Sequence, residues 1–199
     1  FNSKGKSLLN KKGELVCKNS FPSQPKKFWN DKKNQKYKKA YFDEFKNIWH
    51  HGDYAEKKKT GGYIIYGRSD ATLNPGGVRL GTAEIYSVVE GFEQIKESIC
   101  VGQSWKNDVR IILFVVLKKN HQLSSNLIKS IKVAIRKDAS PRHVPAKIIQ
   151  VEDIPRTKNG KIVELAVKNI IDGTSIKNKQ ALANPEALNL FIKLDELSY

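Results

Sequence analysis

The run Ile111-Ile112-Leu113-Phe114-Val115-Val116-Leu117 constrains this chain more than any other segment. It has the length of a β-strand and lacks the apolar–polar alternation of a strand with one wet face. Such a strand must be covered on both sides, so other elements have to lie above and below its sheet. No apolar run approaches the roughly 18–20 residues of a membrane-spanning helix. The polar, Lys-containing N-terminus is not followed by the apolar stretch of a signal peptide. A soluble, cytoplasmic protein with no membrane partner is the expectation. The hydrophobic fraction of 39% in 199 residues supports a modest core, enough for one domain and a remnant of another.

The elements around that run follow from local pattern. Residues 1–50 read as irregular and strand-poor, apart from a short strand at Gly13–Cys17, and the aromatics of Tyr41–Trp49 need something to pack against. Trp49–Arg68 reads as a hairpin that turns through Glu56–Thr60 and Gly61-Gly62 and returns along Tyr63–Tyr66. Thr82 is placed as the cap of a helix with Ile85, Val88, Val89 and Phe92 on one face. Strands are predicted at Glu97–Val101, Arg110–Leu117 and Lys147–Val151. A helix capped by Ser124 or Ser125 carries Leu127, Ile131 and Ile135. The last amphipathic helix presents Val163, Ala166, Val167, Ile170 and Ile171 and ends at Gly173. A short helix from Pro185 falls in the remaining appendix. The sum is an α+β class: a small sheet covered by helices, preceded by a β-rich segment.

The net charge of +16 admits nucleic acid, anionic lipid or phosphorylated small molecules as partners. The lysines, however, are scattered, as at Lys11-Lys12, Lys26-Lys27 and Lys57-Lys58-Lys59, and mixed with Asn, which favours a solvated face. Cys17 and Cys100 have neither metal-ligand spacing nor disulfide-rich context, and Cys100, among apolar neighbours, reads as a buried inert thiol. With Phe1 at its start and no Met anywhere, the sequence is expected to be a piece of a longer protein.

Three loops place cations beside glycine: Gly67-Arg68-Ser69-Asp70, Asn74–Gly81 and Pro155–Ile162. Glycine permits close approach of backbone to ligand, and an adjacent Arg or Lys offers a countercharge for phosphate. Taken singly, each loop reads more readily as a turn with solvated cations. Of the six arginines of this Lys-dominated chain, Arg68, Arg79 and Arg156 nevertheless put one in each loop, and guanidinium and ammonium are not interchangeable at phosphate. Lys161 is followed by Ile162, so this is not the Gly-Lys-Ser/Thr phosphate loop.

Taken together, the stretch Gly67–Ile85, the upstream His51-Gly52-Asp53 and Gly13-Glu14-Leu15-Val16, and the downstream Pro155-Arg156-Thr157-Lys158-Asn159-Gly160-Lys161 resemble the motifs of adenylate-forming acyl-CoA synthetases, in order and in separation. Trp49–Tyr54, Asn74-Pro75-Gly76-Gly77, Ser140–Pro145 and the tail Lys177–Leu188 are most similar to the acetoacetate-activating branch. Ala71, where many relatives carry Asp, and Gly76-Gly77-Val78 ahead of Arg79 depart from acetate-activating relatives and bear on the branch, not on activity.

The resemblance implies a division of roles. Residues 1–69 would end a large N-terminal domain, 70–173 would form a mobile C-terminal lid, and 174–199 an extension. Asp53 would accept from the ribose hydroxyls, Arg68 and Arg79 would face the nucleotide, and Asp70 would be the hinge. Lys161 would be the catalytic lysine of adenylation, bridging acyl carboxylate and α-phosphate. Gly76 and Gly77 would line the passage of the CoA thiol, and Arg136 would hold a CoA phosphate. ATP with Mg²⁺, CoA and acetoacetate are the implied cofactors and substrates; no metal ligands are implied in this chain. The rest of the polypeptide is the implied partner, without which the piece would be inactive. Another short-chain acyl-CoA synthetase is the nearest alternative. Outside the class stand a basic nucleic-acid-binding module, which needs a basic stripe interleaved with aromatics, and a free-standing interaction domain.

Overall fold

The structure is a computed structural model that describes residues 1–176 and 179–198. It divides the chain into two units, Phe1–Asp70 and Ala71–Tyr199. The Lys177-Asn178 part of the tail motif and Tyr199 lie outside the described residues.

The first unit is a three-stranded antiparallel sheet. β1 (Lys12–Cys17) pairs with β2 (Trp49–Lys57), and β2 with β3 (Tyr63–Arg68). The hairpin runs as the pattern predicts, but β2 continues past Ala55 into Lys57, because the Tyr66 hydroxyl (2.7 Å) and the Lys58 ammonium (2.6 Å) let Glu56 sit buried in the strand. These two bonds, Lys58 first, hold the Glu56 carboxyl below its usual range. Residues 1–50 also contain a helix the pattern did not predict, α1 (Gln35–Tyr41). It has no apolar stripe. Instead the Asp31 carboxylate accepts from the Lys36 and Tyr37 amides (2.9 and 2.8 Å), and rings do the packing. Tyr41 stacks on Trp49 at 3.7 Å, and Phe28 meets Tyr37 and Tyr41 edge-on.

The second unit is built on the apolar run. α2 (Thr82–Val89) precedes the hairpin of β4 (Ile95–Trp105) and β5 (Asp108–Leu117); α3 (Ser125–Asp138), β6 (Lys147–Gln150) and α4 (Glu164–Ile171) follow. The strand order is β4-β5-β6, so β5 is central, antiparallel to β4 and parallel to β6. Residues 111–116 are all buried, and alternate residues serve opposite layers. Ile111, Leu113 and Val115 face Ile85 and Val89 of α2 and Leu127, Ile131 and Ile135 of α3. Ile112, Phe114 and Val116 face Val167 of α4 together with Phe191 and Leu197 of the tail. The tail expected to be an extension thus supplies part of the sheet's second cover.

Boundaries differ in detail. Gly81, not Thr82, is the cap of α2, with Glu84 accepting from the Gly81 amide at 3.2 Å. Ser124 caps α3 through its hydroxyl. The segment from Pro185 is a 3₁₀ helix ending at Phe191. Cys100 is fully buried, and burial and the nearby Glu164 push its thiol up, as an inert thiol requires. Among the described residues, no helix is long and apolar enough to cross a membrane.

Candidate functional site

In the first unit, β2 and β3 bring Asp53 opposite Arg68. Gly52, at φ +81°, makes this possible, because a Cβ there would lie 2.9 Å from Arg68 Nη2. Arg68 Nη1 stands 3.4 Å from both Asp53 Oδ1 and the His51 carbonyl, and Arg68 Nε 3.5 Å from Asp70 Oδ1. His51 Nε2 approaches Asp53 Oδ2 at 3.4 Å. These separations lie at the long end of hydrogen bonding, so guanidinium and carboxylates are aligned without being tightly bound to each other. A half-exposed fork beside an acceptor carboxylate can take an anionic group and a hydroxyl side by side. The neighbouring Ser69 is fixed from below: its hydroxyl donates to Glu14, whose carboxylate also lies 2.9 Å from His50 Nε2. Asp53, Arg68 and Asp70 are therefore one cluster.

In the second unit, Leu73 and Leu80 exchange backbone hydrogen bonds (3.0 and 2.8 Å) and pinch off the loop between them. Both Leu side chains are buried, so the loop is rooted in the core while Gly76 and Gly77 are exposed at its tip. Each glycine is left-handed (φ +58° and +74°). A Cβ on Gly77 would meet nothing within 4 Å, so in this unit backbone conformation, rather than crowding, demands glycine there. The Gly76 amide donates to both oxygens of Asp108 (2.9 and 3.1 Å), which tethers the tip to the β4–β5 turn. Amide donors from Val109 and Gly76 hold the Asp108 carboxyl below its usual range. Arg79 is oriented by a bond from Nε to Thr72 Oγ1 (3.0 Å). Arg142 Nη1 comes within 3.8 Å of a Cβ built on Gly76, adding to this loop a cation to which the motifs assigned no role.

Lys161 sits on a separate hairpin. Arg156 and Ile162 are bridged, the Thr157 amide donates to the Lys161 carbonyl (2.8 Å), and the Lys161 amide donates to Thr157 Oγ1 (3.1 Å). Gly160 turns the chain at φ +77°. Arg156 is used internally: Nη2 pairs with Glu97 at 2.7 Å and Nη1 donates to the Gly160 carbonyl at 3.0 Å. Its place among the loop arginines thus has a structural account. Lys161 itself is exposed, on a turn whose backbone is pinned at both ends. Arg136 lies apart in the last turn of α3, exposed.

Several residues of these loops carry contacts to which the motifs assigned no role. Asp108 opens β5 just after the Lys106-Asn107 turn, where the sequence signals only a reversal. His143, buried, is bonded to Ser140 (2.8 Å) and lies 3.3 Å from Glu84 at the start of α2, joining the segment after α3 to that helix. Asn184 reaches the Lys161 hairpin from far along the chain.

Comparison with known proteins gives a consistent result. The family model "AMP-binding enzyme C-terminal domain" matches residues 84–161. The chain is 59% identical over 197 residues to the acetoacetyl-coenzyme A synthetase of Rhizobium meliloti (strain 1021), covering 99% of this chain and 30% of that protein. It is 48% identical over 199 residues to the acetoacetyl-CoA synthetase of Gallus gallus, with the same coverage. The solved structure of acetoacetyl-CoA synthetase from Streptomyces lividans superposes with a TM-score of 0.91 at 37% identity, over 100% of this chain and 30% of that one. The chain thus spans about 30% of the length of the curated relatives it matches.

Proposed function

We propose that this chain, whose residues 84–161 match the AMP-binding enzyme C-terminal domain model, is the C-terminal part of an acetoacetate–CoA ligase. The complete polypeptide joins acetoacetate and CoA at the expense of ATP, which enters with Mg²⁺ and leaves as AMP and pyrophosphate. The observation that carries this reading is the match of 99% of the chain, tail included, to acetoacetyl-CoA synthetases. The larger domain of the same polypeptide is the partner that completes the site, so this piece alone is inactive. A cytoplasmic location belongs to the same proposal.

Two half-reactions follow. In the first, an acetoacetate carboxylate oxygen attacks the α-phosphorus of ATP, the bond to the pyrophosphate oxygen breaks, and acetoacetyl-adenylate forms. The Lys161 ammonium, carried on its pinned and exposed turn, reaches the acyl carboxylate and α-phosphate together and offsets charge that gathers in the transition state. Asp53 accepts from the ribose hydroxyls, and Arg68 steadies the phosphate side; their loose mutual pairing supports this role, since little has to be broken for a ligand to enter. Asp70, the last residue of the first unit, serves as the hinge about which the 70–173 lid turns. In the second half-reaction the CoA thiolate attacks the acyl carbon, AMP departs, and the thioester forms. Gly76 and Gly77 border the thiol's path, Arg79 faces phosphate, and Arg136 holds a phosphate of CoA.

The test is Lys161→Ala in the complete enzyme. Acetoacetate-dependent exchange of pyrophosphate into ATP falls about 10²-fold or more, while thioester formation from preformed acetoacetyl-adenylate is retained. Survival of both half-reactions removes Lys161 from catalysis, and full-length enzyme that prefers acetate to acetoacetate overturns the substrate.

A further inference from the structure

The Lys161 hairpin is not held by its own residues alone. The tail pairs with it through an isolated bridge: the Ala183 amide donates to the Arg156 carbonyl (2.8 Å), the Lys158 amide donates to the Ala181 carbonyl (3.1 Å), and Thr157 is bridged to Leu182. Asn184 locks this pairing. Its Oδ1 accepts from the Arg156 amide (2.8 Å), and its Nδ2 donates to Asp153 Oδ2 (2.7 Å) and to the Ile154 carbonyl (3.0 Å). Acceptor and both donors of one amide are thus spent on the three residues at the root of the hairpin.

The tail is itself well founded. Leu182 and Leu188 are buried with Ala166 of α4, and Phe191 meets Phe114 edge-on at 4.8 Å. Near the end, the Leu197 carbonyl accepts from Arg110 Nη2 at 2.7 Å. Asn184, by contrast, is only half-buried and is held by polar bonds. What its bonds fix is the entry of the hairpin, and from there the register passes through Arg156 and Thr157 to Lys161, whose amide and carbonyl are both bonded to Thr157.

We propose that Asn184 is a positioning residue for adenylation, bracing the Lys161 hairpin against the C-terminal tail so that the ammonium is presented at one place. The proposal rests on the assignment of Lys161 given above. A turn free to shift by an ångström delivers its charge to the wrong point, and such misplacement is costly in rate.

In the complete enzyme, Asn184→Ala slows acetoacetate-dependent pyrophosphate exchange about tenfold and leaves thioester formation from preformed adenylate at the parental rate. Introduced into Lys161→Ala, it causes no further loss, because both changes act through one ammonium. Trypsin cleaves after Lys158 and Lys161 faster in Asn184→Ala than in the parent. The exchanged pair Asp153→Asn with Asn184→Asp, which restores the side-chain bond with donor and acceptor reversed, recovers part of the exchange rate. Unchanged exchange in Asn184→Ala overturns the proposal. So does equal slowing of both half-reactions, or an equal further loss in the Lys161→Ala background. Should Lys161→Ala itself retain exchange, the assignment beneath the proposal falls; should only Asn184→Ala retain it, the brace alone falls.

Discussion

Phe191→Ala tests whether the tail is part of the core of the second unit. The ring is fully buried and lies edge-on to Phe114 in the central strand. A phenyl group withdraws roughly 150–200 Å² from water, which at about 25 cal/mol per Å² corresponds to about 4 kcal/mol. The edge contact adds about 1 kcal/mol, and relaxation of neighbours returns some of this. The expected loss is about 3–5 kcal/mol, the range of Phe→Ala in packed interiors. The assay is amide hydrogen exchange of β5, followed at Ile112 and Phe114 in the complete protein. At about 1.4 kcal/mol per decade, protection should fall by roughly 2–3.5 orders of magnitude. Ile192→Ala, one residue on and 50% exposed, is the control and should cost under about 1 kcal/mol. If Phe191→Ala lowers β5 protection no more than Ile192→Ala does, the tail does not close the sheet, and the account of how residues 111–117 are covered fails.

Gly77→Leu in the complete enzyme should stop CoA-dependent turnover while sparing pyrophosphate exchange. Gly77→Ala shares the strained left-handed backbone but not the bulk, and should keep most of the turnover; equal effects of the two would assign the role to backbone strain alone. The Asp108 tether has a pH signature. Its carboxyl is held low in the folded state by the Val109 and Gly76 amides, so its contribution is fully present above the ordinary carboxylate range and is lost as pH falls through the depressed folded value. The Gly76 amide resonance should therefore titrate with a midpoint below that of an ordinary aspartate, and a midpoint at or above the ordinary one would show that the tether does not form.

Much of the architecture was legible because it answers to local rules. A run such as 111–117 can satisfy itself only as an inner strand, and the structure covers it with alternate residues on each layer. The stripes of α2, α3 and α4, the Ser124 cap and the hairpin that sets Asp53 against Arg68 are likewise consequences of spacing within a few residues. Glycine at positions 52, 76, 77 and 160 marks backbone that other residues rarely adopt, so the loops that carry the candidate chemistry announced themselves.

The helix α1 did not, because it depends on rings contributed by Phe28 and Trp49, which lie outside it, and not on a stripe of its own. Nor did the tethers that give the loops their stiffness. Asp108 binds Gly76 across 32 residues, Asn184 binds Arg156 across 28, and Arg156 pairs with Glu97 in another strand. Periodicity and turn chemistry fixed what each segment of this chain could become. Which segments would meet depended on burying both faces of one strand at once, and that closure, drawing the tail back over the sheet, is what brought Asn184 to the base of the Lys161 turn.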